Sequence, residues 1–301
     1  MTSLNLNDPA ARRLLEPMNG KNTLVFTKMH GAGNDYIYVN AIAQPVSNPE
    51  EVAIRLSDRH FGIGGDGIVL IKPSREADFF MDMYNADGSR GKMCGNAIRC
   101  VAKYVHDRRL TDKVELKIET LSGIKTLQLH LDDARQVESV TVNMGPPIFE
   151  PEKIPVRFAG EKMIEAPVEV NGKQYLLTSV SMGNPHTVIF TTGVKDLDLE
   201  KIGPSFEHHP MFPDRINTEF CEVIDRQTLR MRVWERGSGE TLACGTGACA
   251  TLAAAVVTGK ADRKATLKLT GGDLQIEWDE ASGDIFMTGP ATFVFDGTVT
   301  I

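Results

Sequence analysis

Two stretches decide the fold: residues 84–100 read YNADGSRGKMCGNAIRC and residues 234–250 read WERGSGETLACGTGACA. In each, an aromatic residue ends a strand-like run, a loop rich in small and polar residues follows, and a Cys-Gly pair opens a helix-like run. One offset of 150 residues places Gly33-Asn34, Tyr84-Asn85 and Cys94-Gly95 on Gly183-Asn184, Trp234-Glu235 and Cys244-Gly245. Three gapless matches indicate a duplicated unit and hence two pseudo-symmetric domains of like fold.

The rest of the chain is rich in strands and poor in helices, which predicts an α+β fold. Strands are predicted at Leu24–Met29, Tyr36–Ala41, Gly67–Lys72, Phe79–Tyr84, Val114–Glu119, Lys125–Leu131, Val137–Asn143, Gln174–Ser181, Thr187–Thr191, Glu219–Ile224 and Thr228–Glu235. Helices are predicted to begin at Asn48-Pro49 and to cover Ala97–Val105 and Gly247–Val257. We predict domains at residues 23–145 and 146–290, joined near Gly145-Pro146-Pro147.

Composition excludes several functional classes. The chain has 301 residues, a net charge of −7 and five cysteines, and no apolar run of membrane-spanning length. An acidic chain has no bulk attraction to nucleic acid or anionic lipid, and an odd cysteine count without a CxxC pair argues against a disulfide-stapled secreted protein. Residues 1–22 lack an apolar signal core, so we expect a cytoplasmic protein with a polar extension, either disordered or forming a short helix around Pro9–Leu15.

One motif is misleading. Residues 62–67, Gly-Ile-Gly-Gly-Asp-Gly, satisfy the GxGxxG pattern of dinucleotide-binding proteins. That pattern requires a strand before it and a helix after it, whereas here the order is reversed. We therefore interpret the segment as a tight turn that lines a site at most.

The Cys-Gly pairs carry the strongest chemical signal. A thiol at a helix start lies beside exposed N–H groups and the positive end of the helix dipole, so we expect a lowered pKa for Cys94 and Cys244. Two opposed thiols could remove an α-proton from one face of an amino acid and return a proton to the other, without cofactor or metal. A buried, inert thiol is the alternative for either cysteine alone, and it is the favoured interpretation of Cys100, Cys221 and Cys249.

Several polar residues near these motifs are candidate substrate ligands. They are Asn34, Asn85, Asn184, Asn217, Glu235 and Arg236. Each Asn is equally well explained as a turn residue, and Arg236 as a member of a surface ion pair. Arg236 beside a Gly-Ser-Gly loop also suits a bidentate grip on a carboxylate. His186 is either a neighbour that tunes a thiol or a structural hydrogen-bonder.

At these residues the sequence resembles the diaminopimelate epimerases, a family of cofactor-independent two-cysteine enzymes. The matching motifs are His30-Gly-Ala-Gly-Asn-Asp-Tyr36, Asn85-Ala-Asp-Gly-Ser89, Cys94-Gly-Asn-Ala-Ile-Arg-Cys100, Met182-Gly-Asn-Pro-His186, Arg215-Ile-Asn217 and Glu235-Arg-Gly-Ser-Gly-Glu-Thr-Leu-Ala-Cys-Gly-Thr-Gly-Ala248. They lie in family order between about Phe26 and Val257. The resemblance implies interconversion of LL- and meso-diaminopimelate in the synthesis of lysine and cell-wall precursors.

The resemblance also implies roles for individual residues. Cys94 and Cys244 would be the acid/base pair, and His186 and Glu235 would support the thiols. The six polar candidates would contact substrate, and the reacting carboxylate would be bound at the helix starts by Gly95, Asn96, Gly245 and Thr246. Each domain would be a barrel-like sheet around a central helix, the last strand, residues 291–301, would return to the first domain, and the protein would be a homodimer.

One departure and two alternatives remain open at this point. Many family members carry Gln where this chain has Gly67, which leaves recognition of the distal part of the substrate less defined than the chemistry. A related two-thiol racemase acting on proline or hydroxyproline would share the cysteine pair. A non-enzymatic thiol or metal-binding protein would show bound metal or a Cys94–Cys244 disulfide, although no His lies at ligand spacing from either cysteine.

Overall fold

The structure, a computed structural model, describes residues 23–301. The predictions made for residues 1–22 lie outside this range. From Thr23 the chain divides into two compact units, one running to Thr141 and including Pro290–Ile301, the other spanning Val142–Gly289. The predicted domain boundaries at residues 145/146 and 290/291 remain a proposal.

The first unit is built on strands with two helices. Its elements are β1 (Thr23–Gly31), β2 (Asn34–Asn40), α1 (Pro49–Ser57), β3 (Gly67–Lys72), β4 (Phe79–Asn85), β5 (Arg90–Gly91), α2 (Gly95–Asp107), β6 (Glu115–Thr120), β7 (Gly123–Leu131), most of β8 (Val137–Gly145) and β18 (Thr292–Thr300). Strand β2 is antiparallel to β1 and parallel to β3, and β3 is antiparallel to β4. Strand β18 pairs antiparallel with β1, so the chain end completes this sheet.

The second unit is also built mainly of strands with two helices. Its elements are β9 (Ala166–Val170), β10 (Lys173–Ser181), β11 (Pro185–Phe190), α3 (Leu199–Glu207), β12 (Asn217–Asp225), β13 (Thr228–Glu235), β14 (Gly239–Thr241), α4 (Gly245–Val257), β15 (Lys264–Leu269), β16 (Gly272–Trp278) and β17 (Ile285–Pro290), with single 3₁₀ turns at Pro151–Lys153 and Val194–Asp196. The predicted strands and helices are confirmed. Helix α3 was not predicted; Asp198 caps its start by accepting the N–H of Lys201, and Pro204 lies inside it.

The two units repeat one topology at the predicted offset. Helices α1 and α2 begin and end 150 residues before α3 and α4. The pairing registers match as well: Ile37 lies opposite Ile68 in the parallel pair β2–β3, and Thr187 lies opposite Thr218 in β11–β12. The prediction of two pseudo-symmetric α+β units is therefore confirmed.

Residue size explains how each sheet closes around its helix. Helix α4 contacts β10, β11, β12, β13, β15 and β16. Its central alanines, Ala250 and Ala253–Ala255, are fully buried, and their small side chains let the surrounding strands approach closely. Helix α2 likewise contacts β1, β2 and β7 in the first unit. Cys100, Cys221 and Cys249 are buried, as predicted for core thiols.

Candidate active site

Cys94 is the N-cap of α2. Its backbone is extended, its sulfur accepts the N–H of Ala97 at 3.4 Å, and its carbonyl accepts the N–H of Ile98 at 3.0 Å. Helix geometry gives the N–H groups of Gly95 and Asn96 no acceptor within the helix. The structure thus places the predicted carboxylate-binding amides of the first unit beside the predicted catalytic sulfur.

Asn34, at the start of β2, presents its carbonyl oxygen to Cys94. The Cys94 thiol donates to Asn34 Oδ1 at 3.2 Å, while Asn34 Nδ2 donates to Asp66 Oδ2 at 2.6 Å. A carboxylate only accepts hydrogen bonds, so Asp66 holds the amide nitrogen and leaves the oxygen for the thiol. Burial, and secondarily the charge of Asp35, raises the pKa of Asp66.

The glycine-rich segment at residues 62–67 joins this site through Asp66. It follows α1 and precedes β3, so the predicted reversal of the dinucleotide-binding context is confirmed. Arg59 binds Asp35 at 2.7 Å and Asp66 at 2.9 Å, and Lys28 binds Asp35 at 2.6 Å. These ion pairs fix the turn against β1 and β2 and so support the Asn34 amide.

The end of β4 carries Asn85, and Gly67 lies opposite it. The Asn85 amide donates to Ser89 Oγ at 3.0 Å across the β4–β5 hairpin. Gly67 has φ +155°, and a Cβ there would lie 2.0 Å from the carbonyl oxygen of Tyr84. This backbone therefore has no room for a side chain at position 67.

Cys244 is the N-cap of α4, in the place that Cys94 has on α2. Its sulfur accepts the N–H of Gly247 at 3.4 Å and lies 3.5 Å from Thr246 Oγ1. Glu235, at the end of β13, lies near enough for its charge to act on the thiol, and its carboxylate accepts the hydroxyl of Thr241. Gly245 and Thr246 provide the first two amides of the helix.

Cys244 does not have the lowered pKa that its helix-start position predicts. Burial first, and then the charges of Glu235 and Glu219, raise its pKa well above that of a free thiol. The N–H of Gly247 and the hydroxyl of Thr246 act in the opposite direction and are outweighed. The expectation was wrong for Cys244 because it counted the helix dipole but neither the burial of the thiol nor the acids on neighbouring strands.

His186 reaches Cys244 through intermediates. Its Nδ1 lies 2.7 Å from Glu219 Oε1, and its Nε2 lies 3.0 Å from Asn184 Oδ1. Asn184 Nδ2 in turn donates to Thr246 Oγ1 at 3.2 Å. One hydrogen-bonded chain thus runs from a buried acid on β12 to the start of α4, and it includes two residues predicted to bind substrate.

Asn217 and Arg236 are neighbours. The Asn217 side chain donates to the carbonyl of Pro185 at 2.8 Å and accepts the N–H of Arg236 at 2.9 Å, while Arg236 Nη1 donates to the carbonyl of Asp214 at 2.9 Å. Both polar groups of Asn217 are thus engaged by backbone, and the partly exposed guanidinium of Arg236 is held at the loop after β13.

Sequence reasoning missed the supporting acids. Glu207 accepts Trp234 Nε1 at 2.7 Å and the N–H of Gly237 at 2.9 Å, which holds the loop of Arg236. Asp66 lies inside the segment interpreted as a tight turn, and Glu219 lies at the start of a predicted strand to which no functional residue was assigned. The signal that the sequence offered for Glu219 is an acidic residue beside Phe220 and Cys221 in a predicted strand.

No helix within residues 23–301 is long and apolar enough to cross a membrane. Among the same residues no group of three or more His, Cys, Asp and Glu side chains is placed to hold a metal ion. None of the five cysteines, all within residues 23–301, forms a disulfide. The expected absence of a metal and of a cofactor stays a prediction.

Solved structures share this fold at low sequence identity. A phenazine biosynthesis protein of the PhzF family from Bacillus anthracis aligns with a TM-score of 0.67 and 17% identity, covering 93% of this chain and 100% of its own. A probable proline racemase from Agrobacterium radiobacter K84 aligns with a TM-score of 0.65 and 15% identity, covering 92% and 93%. At these identities the likeness shows the fold alone.

Relatives found by sequence similarity specify the family as well as the fold. Diaminopimelate epimerase of Acetivibrio thermocellus is 60% identical over 92% of this chain and 98% of its own length. The enzyme of that name from Methanococcus maripaludis is 56% identical over 92% and 99%. The family model described as diaminopimelate epimerase matches residues 26–150 and 178–294. The chain belongs to the diaminopimelate epimerase family.

Proposed function

We propose that the protein interconverts LL- and meso-diaminopimelate by inverting one α-carbon, with Cys94 and Cys244 as the acid/base pair and without a cofactor. The observation that carries this proposal is the pair of N-cap cysteines at equivalent positions of two repeated units, in a chain of the diaminopimelate epimerase family. The protein is an isomerase, and the reaction belongs to the synthesis of lysine and cell-wall precursors.

The two thiols together account for both proton transfers of the proposed reaction. One cysteine, as thiolate, takes the α-proton and becomes a thiol, while the other thiol gives its proton to the opposite face of the carbon and becomes a thiolate. The negative charge that develops on the substrate is stabilised by N–H groups aimed at its carboxylate, for which we propose Gly95, Asn96, Gly245 and Thr246. The chemistry requires one sulfur on each face of the carbon.

The remaining polar residues are assigned to positioning the substrate. We propose that Asn34, Asn85, Asn184, Asn217, Glu235 and Arg236 contact it. The Arg236 guanidinium suits the distal carboxylate, because it offers several donors in a planar fork. Asn217 supports this contact by accepting the N–H of Arg236 at 2.9 Å.

A related racemase for proline or hydroxyproline is the second candidate. Likeness to a probable proline racemase at 15% identity supports a shared fold and no more. Arg236 and the surrounding amides favour a substrate with a second amino-acid centre, which proline lacks. Comparing meso-diaminopimelate with proline as substrates separates the two: turnover of proline alone would replace the proposal.

The decisive test is α-proton exchange in heavy water with LL-diaminopimelate. Cys94→Ala and Cys244→Ala should each lower the rate of inversion by at least about 100-fold, because each removes one proton-transferring group. Cys221→Ala removes a buried thiol away from both helix starts and serves as the control, with the rate expected to stay near that of the unmodified protein. Inversion that persists in either helix-start variant would refute the assignment.

The requirement for two sulfurs about one carbon has an independent test. Thiols that close together can be oxidised to a disulfide, so activity should depend on added reductant. A non-reducing peptide map of air-oxidised protein should contain a Cys94–Cys244 link, and its absence would argue against the proposed arrangement.

Assembly and location are proposed from the family. We expect a homodimer that works in the cytoplasm, with a small-molecule substrate and no nucleic-acid or membrane partner. Light scattering on the purified protein tests the assembly, since a monomer mass of 33.0 kDa would contradict it.

A further inference from the structure

The proposed reaction does not explain the fully buried acid Glu219. Glu219 lies on β12 with no exposed surface, and its Oε1 is 2.7 Å from Nδ1 of the equally buried His186. Its Oε2 has no hydrogen-bond partner among residues 23–301. Burying an acid with one unpaired oxygen lowers the stability of the folded protein, which indicates a role beyond packing.

The hydrogen bonds fix where the protons lie. Asn184 turns Nδ2 to Thr246 and Oδ1 to His186 Nε2, so Nε2 must carry a proton that it donates. The 2.7 Å contact on the other side of the ring joins Nδ1 to a carboxyl oxygen. Two bare acceptors at that distance would repel, so a second proton lies between Nδ1 and Glu219 Oε1.

The first unit lacks this arrangement. At the offset of 150, Val69 replaces Glu219, Tyr36 replaces His186 and Ala97 replaces Gly247. Gly247 is matched to the acid, because a Cβ there would lie 2.6 Å from Glu219 Oε1. The chain thus carries a set of three residues in the second unit that the repeat does not require.

The two equivalent asparagines are turned in opposite directions as a result. In the first unit the Asp66 carboxylate holds the nitrogen of Asn34, whose oxygen faces the Cys94 thiol. In the second unit His186 holds the oxygen of Asn184, whose nitrogen faces Thr246 at the start of α4. The helix start at Cys244 thereby receives an additional amide donor.

We propose that Glu219 is a positioning residue: by sharing a proton with His186 Nδ1 it keeps the other imidazole proton on Nε2, which fixes Asn184 with its amide group towards Thr246 and the substrate carboxylate. The part of this inference that concerns substrate rests on the proposed function. The part that concerns the imidazole proton and the Asn184 amide does not.

The kinetic test compares two substitutions of one side chain. Glu219→Gln keeps the shape and can donate its amide N–H to Nδ1, so the proton stays on Nε2; Glu219→Val copies Val69 and removes the hydrogen bond. For meso-diaminopimelate we expect the Val variant to lose about tenfold or more in kcat/KM, mostly through a higher KM, and the Gln variant to stay within about threefold of the unmodified protein. Glu222→Gln, an acid on the same strand that pairs with Arg230, is the matched control and should change neither constant.

A spectroscopic arm works without any turnover. In ¹⁵N-histidine-labelled protein, the signals of His186 are identified by their loss in His186→Gln. We expect an Nε2-bound proton that exchanges slowly with solvent in the unmodified and Gln proteins, and that exchanges rapidly in the Val variant.

Two results would overturn the inference. One is a Val variant that retains both the slowly exchanging Nε2 proton and the original KM. The other is a folded Gln variant that loses as much as the Val variant. If the unmodified protein does not turn over diaminopimelate, the proposed function fails, while the exchange measurement still decides the role of Glu219 towards His186.

Discussion

Replacing Gly247 by Ala tests the fit between the start of α4 and the buried acid. The new Cβ would lie 2.6 Å from Glu219 Oε1 and 3.2 Å from Cys244 Sγ, where ordinary contact begins at 3.4 Å. Glu219 would have to retreat by about 0.8 Å, and His186 already lies 2.7 Å from the same oxygen. Overpacking of this kind costs about 1–3 kcal/mol of unfolding free energy.

The same substitution should be harmless once the acid is gone. In a Glu219→Val background the pair becomes Val and Ala, the combination that the first unit holds at Val69 and Ala97. Ala is the better helix former by up to about 1 kcal/mol, so Gly247→Ala should there be neutral or stabilising. We therefore expect a coupling free energy of about 2 kcal/mol or more between the two substitutions.

Urea unfolding followed by tryptophan fluorescence measures this coupling. Both tryptophans, Trp234 and Trp278, lie within Val142–Gly289, so the signal reports on the second unit. With a slope of about 2 kcal/mol per molar urea, the expected coupling is a difference of about 1 M in transition midpoint. Additive effects, with coupling below about 0.5 kcal/mol, would refute the reasoning.

Two further perturbations have defined outcomes. Burial first and Glu235 second raise the pKa of Cys244, so Glu235→Gln should lower that pKa. The pH midpoint of Cys244 alkylation, measured from peptide masses, should then move to lower pH. An unchanged midpoint would show that the acid does not act on the thiol. Gly67→Ala should lower the unfolding free energy by at least about 2 kcal/mol, because its Cβ would lie 2.0 Å from the Tyr84 carbonyl oxygen at a positive φ. Circular dichroism measures that loss, and an unchanged transition would contradict the fit described for this turn.

The raised pKa of Cys244 also sets the sign of a pH effect on stability. The thiol binds its proton more tightly in the native state than in the unfolded chain, where the pKa is about 8.5. Its contribution is therefore fully present below about pH 8.5 and is lost as the pH rises towards the native value. Glu235→Gln should reduce that loss.

The sequence by itself determined the repeat, most elements and the place of the two thiols. The offset of 150 residues between the repeats is visible in the sequence alone. A cysteine before a glycine caps a helix through contacts with residues two and three positions further along the chain. Such contacts are local in the chain, so their outcome follows from local sequence. Helix α3 escaped prediction because Pro204 interrupts its pattern.

Only the tertiary structure decided the electrostatics around Cys244. Glu219 and Glu235 come from different strands, and sheet pairing brings both near one sulfur, where burial strengthens their effect. The directions of the Asn34 and Asn184 amides were also beyond the sequence, since they depend on whether an acid or an imidazole from another element faces each side chain. The sequence shows which polar groups are present, whereas the position of a proton depends on which of these groups come into contact after folding.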